Sequence, residues 1–327
     1  MSTKHSKTIL ITGGLGYLGG RIANHISLQE TNTHLKISTT RSINVQPEWL
    51  SNAEIISLKL NDKDKIKNSL ENIETVIHLA SVNELLSAEN PELAFQINTI
   101  GTYNLLEGCR IAGVKKFIYL STFHVYGLNN GEPITELSAT RPIHPYAITH
   151  RSAEDIVNWY HHSYGLKTLI FRLSNGFGYP MDLEVNRWSL VFNDFCNQAV
   201  KEKQIQIQTS GKQHRNFIAL NDICRAISHF LNLEPEQWND GLFNLGGEAS
   251  MSIIDAAELV NKEYKKIYGD FLPIKTGNDH ENTIHHPVLF DISKLKKTGF
   301  SLSNEISNEI QQTFKIAHLR NLINNQI

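Results

Sequence analysis

The sequence predicts an α/β protein with a doubly wound parallel sheet and a smaller C-terminal domain. Short, almost wholly apolar runs alternate with segments of helical spacing through the first half of the chain. That alternation is typical of βαβ units, whose parallel strands are buried on both faces and are therefore apolar throughout. A glycine-rich turn at residues 12–20 joins the first apolar run to the first helical segment.

The elements of this first half follow one another in a regular order. The predicted strands are Thr8–Thr12, Leu35–Thr39, Glu54–Leu58, Thr75–Leu79, Lys116–Leu120 and Thr168–Leu173. The predicted helices are Tyr17–Leu28, Asp62–Asn72, Pro91–Gly113 and Ser152–Tyr164. Because crossovers between parallel strands are right-handed, this order favours the doubly wound topology.

The pattern becomes less regular after about Asn175. We expect one domain over residues 1–174, with 216–238 returning to it, and a second domain mainly over 175–327. Within the second half, the predicted elements are a helix at Asp222–Leu233, a turn and strand at Asn239–Gly247, and a helix at Ser252–Tyr264.

Composition bounds the class of protein. The chain has 327 residues, 40% of them hydrophobic and 20% charged, with a net charge of -2. This balance disfavours nucleic-acid and anionic-membrane binding, and no apolar run has the ~20 residues of a membrane span. Three dispersed cysteines and a polar N-terminus, Met1–Lys7, without a signal-peptide pattern predict a cytoplasmic location.

The glycine turn has the context of a dinucleotide-binding fingerprint, since it follows a strand and begins a helix. Gly13 permits the tight turn, Gly16 lets the backbone approach a pyrophosphate, and Gly19 permits close packing of helix on strand. The sheet is therefore predicted to be of the Rossmann type, with 1–174 as the dinucleotide-binding domain and 175–327 as the substrate domain. Cofactor contacts are expected at Gly13, Gly16, Tyr17, Leu18, Gly19, Arg41, Leu79, Ala80, Tyr146 and His150.

The end of the second predicted strand bears on the choice between NAD and NADP. A carboxylate usually binds the ribose 2′-hydroxyl of NAD at this position, whereas this chain has Thr40 and Arg41. An arginine can bind a 2′-phosphate through two hydrogen bonds, so NADP(H) is favoured over NAD(H). The alternative is a solvent-exposed arginine in a loop.

Three side chains have the chemistry for proton transfer at an alcohol. Tyr146 is a phenol that can exchange a proton with an alcohol oxygen, and the hydroxyl of Thr122 can hold that oxygen. His150 follows Tyr146 by four residues and therefore lies on the same face of a helix.

These motifs together resemble the extended short-chain dehydrogenases/reductases, specifically the nucleotide-sugar epimerase/dehydratase family. The resemblance runs nearly end to end, through TGGLGYLGG (12–20), HLAS (78–81), NTIGTYNLLEGCR (98–110), YLSTFHVYG (119–127), RLSNGFG (172–178), HRNFIALNDICRAI (214–227) and FNLGG (243–247). It implies that Tyr146 is the catalytic tyrosine and Thr122 the family's Ser/Thr.

The resemblance also implies roles for three residues outside the catalytic pair. Asn98 takes the position that supports the active-site helix, Asn175 the position that meets the sugar nucleotide, and Arg215 the position that binds its pyrophosphate. The alternatives are that Asn98 only bonds backbone and that Arg215 belongs to a surface ion pair.

The main departure from the family is that YxxxK reads Tyr146-x-x-x-His150. A lysine is a permanent cation, whereas a histidine with an ordinary pKa near 6.5 is mostly neutral at pH 7. His150 is either a working substitute that tunes Tyr146 when charged, or the mark of a weakened relative that keeps its ligands.

A second departure is His124, which stands where related dehydratases have Glu and related 3,5-epimerase/reductases have Cys. It is either a further proton-transfer group or a simple contact residue. The dehydratase Asp-Glu pair is absent, which disfavours 4,6-dehydration. The histidine spacing does not suit a metal, so no metal site is predicted.

The predicted function is an NAD(P)-dependent epimerase/dehydrogenase acting on a nucleotide-linked sugar. An NADPH-dependent nucleotide keto-sugar reductase and a catalytically weakened dinucleotide-binding regulator are the alternatives. The resemblance also implies a homodimer, formed through Pro91–Gly113 and the helix after Tyr146.

Overall fold

The computed structural model describes residues 7–30, 32–42, 45–128, 130–279 and 285–324. Within these residues, the chain divides into two compact units. The described residues within Met1–Leu128, Glu136–Leu173 and Ile227–Asn244 form the first unit, and those within Asn129–Thr135, Ser174–Ala226 and Leu245–Ile327 form the second. The roles that the sequence suggests for the two parts, binding of dinucleotide and of substrate, stay predictions.

A seven-stranded sheet organises the first unit. Its strands are β1 (Lys7–Thr12), β2 (Thr33–Thr39), β3 (Ala53–Ser57), β4 (Thr75–His78), β5 (Lys116–Thr122), β6 (Lys167–Leu173) and β10 (Leu242–Leu245), in the order β10-β6-β5-β4-β1-β2-β3. Every neighbouring pair from β3 to β6 is parallel. Strand order reverses beside β1, so the predicted doubly wound α/β fold is confirmed.

Helices of the first unit pack apolar side chains against this sheet. The helices of the first unit are α1 (Tyr17–Gln29), α2 (Lys63–Ser69), α3 (Glu84–Glu89), α4 (Pro91–Ala94), α5 (Thr102–Ala112) and α6 (Pro145–Tyr164). One core cluster joins Leu10, Val76 and Phe117 of the strands to Leu105 and Val157 of the helices. Ile9 and Ile11, on either side of Leu10 in β1, are buried as well, so both faces of the strand are covered, as the continuous apolar runs predict.

Two helices differ from their predictions. Helix α6 begins at Pro145 and not at the predicted Ser152. The single helix predicted at Pro91–Gly113 is interrupted between α4 and α5 by a π-helical segment, Phe95–Gly101. The wider π turn lets two consecutive side chains reach the same neighbour, since Asn98 bonds the Thr149 hydroxyl and Thr99 bonds the Thr149 carbonyl. Apolar spacing does not report such a one-residue change of period.

The second unit has two small sheets. Its remaining strands are β7 (Asn175–Phe177), β8 (Ile205–Ile207), β9 (His214–Ala219), β11 (Ser250–Ser252) and β12 (Ile274–Thr276), which form the sheets β11-β9-β7 and β12-β8. The remaining helices of the chain are α7 (Val191–Glu202), α8 (Leu220–Asn232), α9 (Ile253–Tyr268), α10 (Ser293–Lys296) and α11 (Ile306–Asn324). The core of the second unit includes Phe192, Val260 and Phe314.

In the described part of the chain, every helix is too short or too polar to traverse a lipid bilayer.

Candidate active site

The glycine turn lies between the end of β1 at Thr12 and the start of α1 at Tyr17. Gly13 has a φ of +66°, a conformation that favours glycine. A Cβ on Gly19 would lie 2.2 Å from the Gly13 carbonyl oxygen, so the turn folds back directly onto the helix. The first turn of α1, with Gly16 as its N-cap and Tyr17 and Leu18 as its first residues, faces this backbone. Such a cradle presents a positive helix end to phosphate groups.

The Thr12 hydroxyl connects the turn to the end of β4. It lies 2.6 Å from Nδ1 of His78 and accepts hydrogen bonds from the backbone N–H groups of Leu79 and Ala80. The Ala80 Cα would lie 3.1 Å from a Cβ on Gly13. Leu79 and Ala80 therefore adjoin the glycine turn, where the sequence predicts cofactor contacts.

His78 is held neutral in one orientation. Its Nε2 lies 2.9 Å from the Thr102 hydroxyl, which itself donates to the Asn98 carbonyl. Because that hydroxyl has already used its hydrogen, Nε2 of His78 must donate. Burial lowers the pKa of His78 to about 3.

Arg41 also adjoins the glycine turn. Its guanidinium donates to the Leu15 carbonyl over 2.7 Å, and its backbone N–H donates to the Thr39 hydroxyl over 3.1 Å. The contact with Leu15 places a permanent positive charge at the turn, at the end of β2 where a carboxylate would favour NAD.

The proposed proton-transfer pair lies in the first turns of α6. Tyr146 is the second residue of that helix, and the ring centroids of Tyr146 and His150 are 4.4 Å apart with planes at 62°. Thr122 is buried at the end of β5, and its hydroxyl accepts from the His124 backbone N–H. The spacing prediction that Tyr146 and His150 share a helix face agrees with this geometry.

His150 is the most unusual group of the site. Its Nδ1 lies 2.8 Å from the Tyr119 hydroxyl, while its Nε2 is buried without a hydrogen-bond partner among the described residues. Burial, with smaller contributions from His78 and His124, lowers the pKa of His150 to about 3. The ordinary pKa of a histidine is near 6.5, so the structure makes His150 more firmly neutral than expected.

Asn98, in the π-helical segment, forms hydrogen bonds with two other parts of the chain. Its Oδ1 accepts from the Val82 backbone N–H over 2.7 Å, and its Nδ2 donates to the Thr149 hydroxyl over 3.0 Å. Thr149 immediately precedes His150, so Asn98 contacts the helix that carries the pair. Its contacts thus include both a backbone group and the active-site helix.

An aromatic cluster surrounds Tyr146. The His124 ring lies 6.4 Å from that of Tyr146, and His144 stacks on Tyr146 with centroids 6.0 Å apart and planes at 12°. His124 and His144 are 5.6 Å apart. Neither His144 nor Tyr119 was predicted from the sequence as a site residue. The position of His144, two residues before Tyr146, was the available signal.

The two predicted substrate residues lie on adjacent strands of the second unit. Asn175 begins β7 and donates to the Asn216 carbonyl over 2.9 Å. Arg215 lies on β9, is exposed, and donates to the His214 carbonyl. No ion pair of Arg215 is present among the described residues, and the contacts of both residues with substrate stay predictions.

The described residues contain no group of three His, Cys, Asp or Glu side chains placed to hold a metal ion. His285 instead bonds Asp279 over 2.8 Å.

These features define a Rossmann-type dinucleotide-binding protein. The sheet is parallel from β3 to β6, the glycine turn lies where the strand order reverses, and Tyr146 packs against His150. Two observations fit a nicotinamide dinucleotide: the cradle, which a Cβ on Gly19 would fill, and the buried Nε2 of His150 without a partner.

Comparison with known proteins identifies the family. Residues 9–246 match the model of the NAD dependent epimerase/dehydratase family, so the chain belongs to that family. This confirms the predicted resemblance and the prediction of an enzyme that depends on a nicotinamide dinucleotide.

Individual relatives in this family are named as nucleotide-sugar 4-epimerases. A putative UDP-glucose 4-epimerase of Methanocaldococcus jannaschii is 29% identical over 78% of this chain and 82% of its own. A UDP-N-acetylglucosamine 4-epimerase of Methanobrevibacter ruminantium, solved with UDP-N-acetylmuramic acid, superposes with a TM-score of 0.80 at 26% identity, covering 95% and 98% of the two chains. A UDP-glucose 4-epimerase of Thermotoga maritima, solved with UDP-glucose, gives a TM-score of 0.80 at 25% identity, covering 97% and 99%.

Proposed function

We propose that the enzyme interconverts an alcohol and a ketone on a nucleotide-linked sugar, with 4-epimerisation as its net reaction. The observation that carries this proposal is the packing of Tyr146 against His150, a buried neutral side chain with an unpartnered Nε2. The 4-epimerase names of its relatives support a UDP-linked sugar as substrate.

The residues of the site have complementary tasks in this reaction. A nicotinamide dinucleotide bound at the glycine turn would supply the acceptor for a hydride from the sugar carbon and the donor of that hydride to the opposite face of the ketone. Tyr146 takes the hydroxyl proton as the ketone forms and gives it back as the alcohol is restored. The Thr122 hydroxyl holds the same oxygen. His150, being neutral, offers a hydrogen bond to a ribose hydroxyl and adds no positive charge to lower the pKa of Tyr146.

Binding roles are assigned to residues of the glycine turn and to two further polar residues. Gly13, Gly16 and Gly19 hold the pyrophosphate of the dinucleotide, with Leu79 and Ala80 beside them. Asn175 and Arg215 bind the nucleotide sugar through an amide and a permanent cation, respectively.

NADP(H) is proposed over NAD(H) because Arg41 lies at the glycine turn, where an NAD-preferring site usually has a carboxylate. Replacing Arg41 with Asp should weaken NADP binding at least about 10-fold and leave NAD binding equal or stronger, measured by calorimetry. Equal loss of both affinities would contradict the assignment. The position of Arg41 is also the observation that favours the reductase as second candidate, since NADPH commonly drives net reductions.

A homodimer is proposed through the helices α4–α6 and the π-helical segment. Large apolar side chains on these helices are exposed in the single chain, namely Phe95, Ile100, Ile111 and Trp159. A second copy covering them would form a four-helix seam. Three buried free cysteines suit the reducing cytoplasm as its location.

The test uses UDP-glucose carrying deuterium at C4. An epimerase should give the C4 epimer with deuterium retained at that carbon, because the same hydride returns. Net consumption of NADPH with a UDP-keto-sugar, and no epimer, would favour the reductase. Dinucleotide binding without turnover of either substrate would overturn the proposal in favour of a regulator.

A further inference from the structure

The pairing of Tyr119 and His150 determines where the imidazole carries its proton. Tyr119 lies in β5 and is 3% exposed, and its hydroxyl lies 2.8 Å from Nδ1 of His150. Neither side chain has another hydrogen-bond partner among the described residues, and Nε2 of His150 is buried. The pair therefore has one mutual hydrogen bond and two possible directions for it.

The two directions differ in the number of unpaired polar groups. If Tyr119 donates, Nδ1 accepts, and Nε2–H is the single unpaired group. If Nδ1–H donates, the phenol hydrogen and the Nε2 lone pair are both buried without partners. Burying a polar group without a hydrogen-bond partner is unfavourable, so the direction that leaves one such group, with Tyr119 as the donor, is favoured. Burial also raises the pKa of Tyr119 well above its ordinary value, so the phenol keeps the hydrogen that it donates.

We propose that Tyr119 is a positioning residue, which holds His150 as the neutral tautomer with the proton on Nε2 so that Nε2–H donates to a hydroxyl of the bound dinucleotide. The hydroxyl partner rests on the proposed function, whereas the tautomer does not. A lysine donates in any state, but a neutral histidine donates from Nε2 only in this tautomer. Tyr119 thereby makes histidine a working substitute in the family's YxxxK motif.

The surrounding groups do not supply a competing partner for Nδ1. The titratable and charged groups nearest the pair are His78 of β4, His124 after β5, and Tyr146 and Glu154 of α6. Glu154 is paired with Arg172 and accepts from Ser121, so its carboxylate is already satisfied.

The test observes the tautomer directly in the full-length protein without dinucleotide. Nitrogen-15 histidine labelling distinguishes a protonated from an unprotonated ring nitrogen, and His150→Gln identifies the His150 signals by their loss. At pH 7 we expect a neutral ring with its proton on Nε2. Tyr119→Phe should convert it to a mixture of tautomers. Tyr160→Phe, which removes a buried phenol of α6 bonded to Glu107, should change nothing.

A proton on Nδ1, a charged ring at pH 7, or an unchanged single tautomer in Tyr119→Phe would overturn the proposal. The second readout is dinucleotide affinity, which should fall about 5-fold in Tyr119→Phe and stay unchanged in Tyr160→Phe. Unchanged affinity together with a mixed tautomer would overturn the role toward the dinucleotide. Wild-type protein that binds neither NAD nor NADP would overturn the proposed function, while the tautomer would stand on its own spectrum.

Discussion

Replacing His150 with Gln should reduce the acid sensitivity of the fold. His78 and His150 are both buried, and burial lowers the pKa of each from 6.5 to about 3. Between these values the unfolded chain binds protons that the native state does not, so stability is present above pH 6.5 and is lost as the pH falls.

The magnitude follows from linkage. For one histidine with these pKa values, the free energy of unfolding falls by about 2 kcal/mol between about pH 7.5 and pH 5. The wild type should therefore lose about 4 kcal/mol from His78 and His150 together, and His150→Gln should lose about 2 kcal/mol less than the wild type over this range.

The assay is urea unfolding at several pH values across that range, with proton uptake on unfolding as a second measurement. His162→Gln, at an exposed position of the same helix, is the matched control and should follow the wild type. A free-energy difference between wild type and His150→Gln that does not change with pH would refute the claim that His150 is buried and neutral.

Three further changes test other parts of the structure. Arg172→Met should destabilise the protein by about 3–5 kcal/mol in urea unfolding, because it leaves the Glu154 carboxylate buried without its partner, and adding Glu154→Gln should recover part of the loss. Gly19→Ala should weaken dinucleotide binding at least about 10-fold by calorimetry, because its Cβ would displace the Gly13 carbonyl. Asn98→Ala should cost about 1–3 kcal/mol of stability and speed hydrogen exchange at the start of α6, and unchanged exchange would contradict its positioning role.

The sheet could be predicted because its strands carry their own signal. Strands such as β4 and β5 are buried on both faces, so successive residues at their centres, Val76–Ile77 and Phe117–Leu120, are apolar. The glycine turn was equally readable, because Gly13 needs a conformation that few other residues adopt.

Other parts were missed for different reasons. Helix α7 has buried residues at helical spacing, namely Phe192, Phe195 and Ala199. It was not predicted because the alternation of strand and helix patterns is irregular in the second half of the sequence. The π-helical segment depends on contacts of Asn98 with distant parts of the chain, which no local period reports.

The partner of His150 could not be predicted from spacing. Tyr119 and His150 are 31 residues apart and meet only because β5 and α6 pack together. The depressed pKa of His150 has the same origin, since burial of a ring on a helix face depends on what covers it.

Tyr146→Phe tests the central claim most directly, because it removes only the phenolic oxygen. The measurement is single-turnover change in nicotinamide absorbance with saturating nucleotide sugar, beside the dinucleotide dissociation constant. We predict a loss of rate of at least about 100-fold with affinity changed less than about 2-fold. A variant that keeps its rate within a few-fold of wild type would contradict the assignment of Tyr146 as the acid and base.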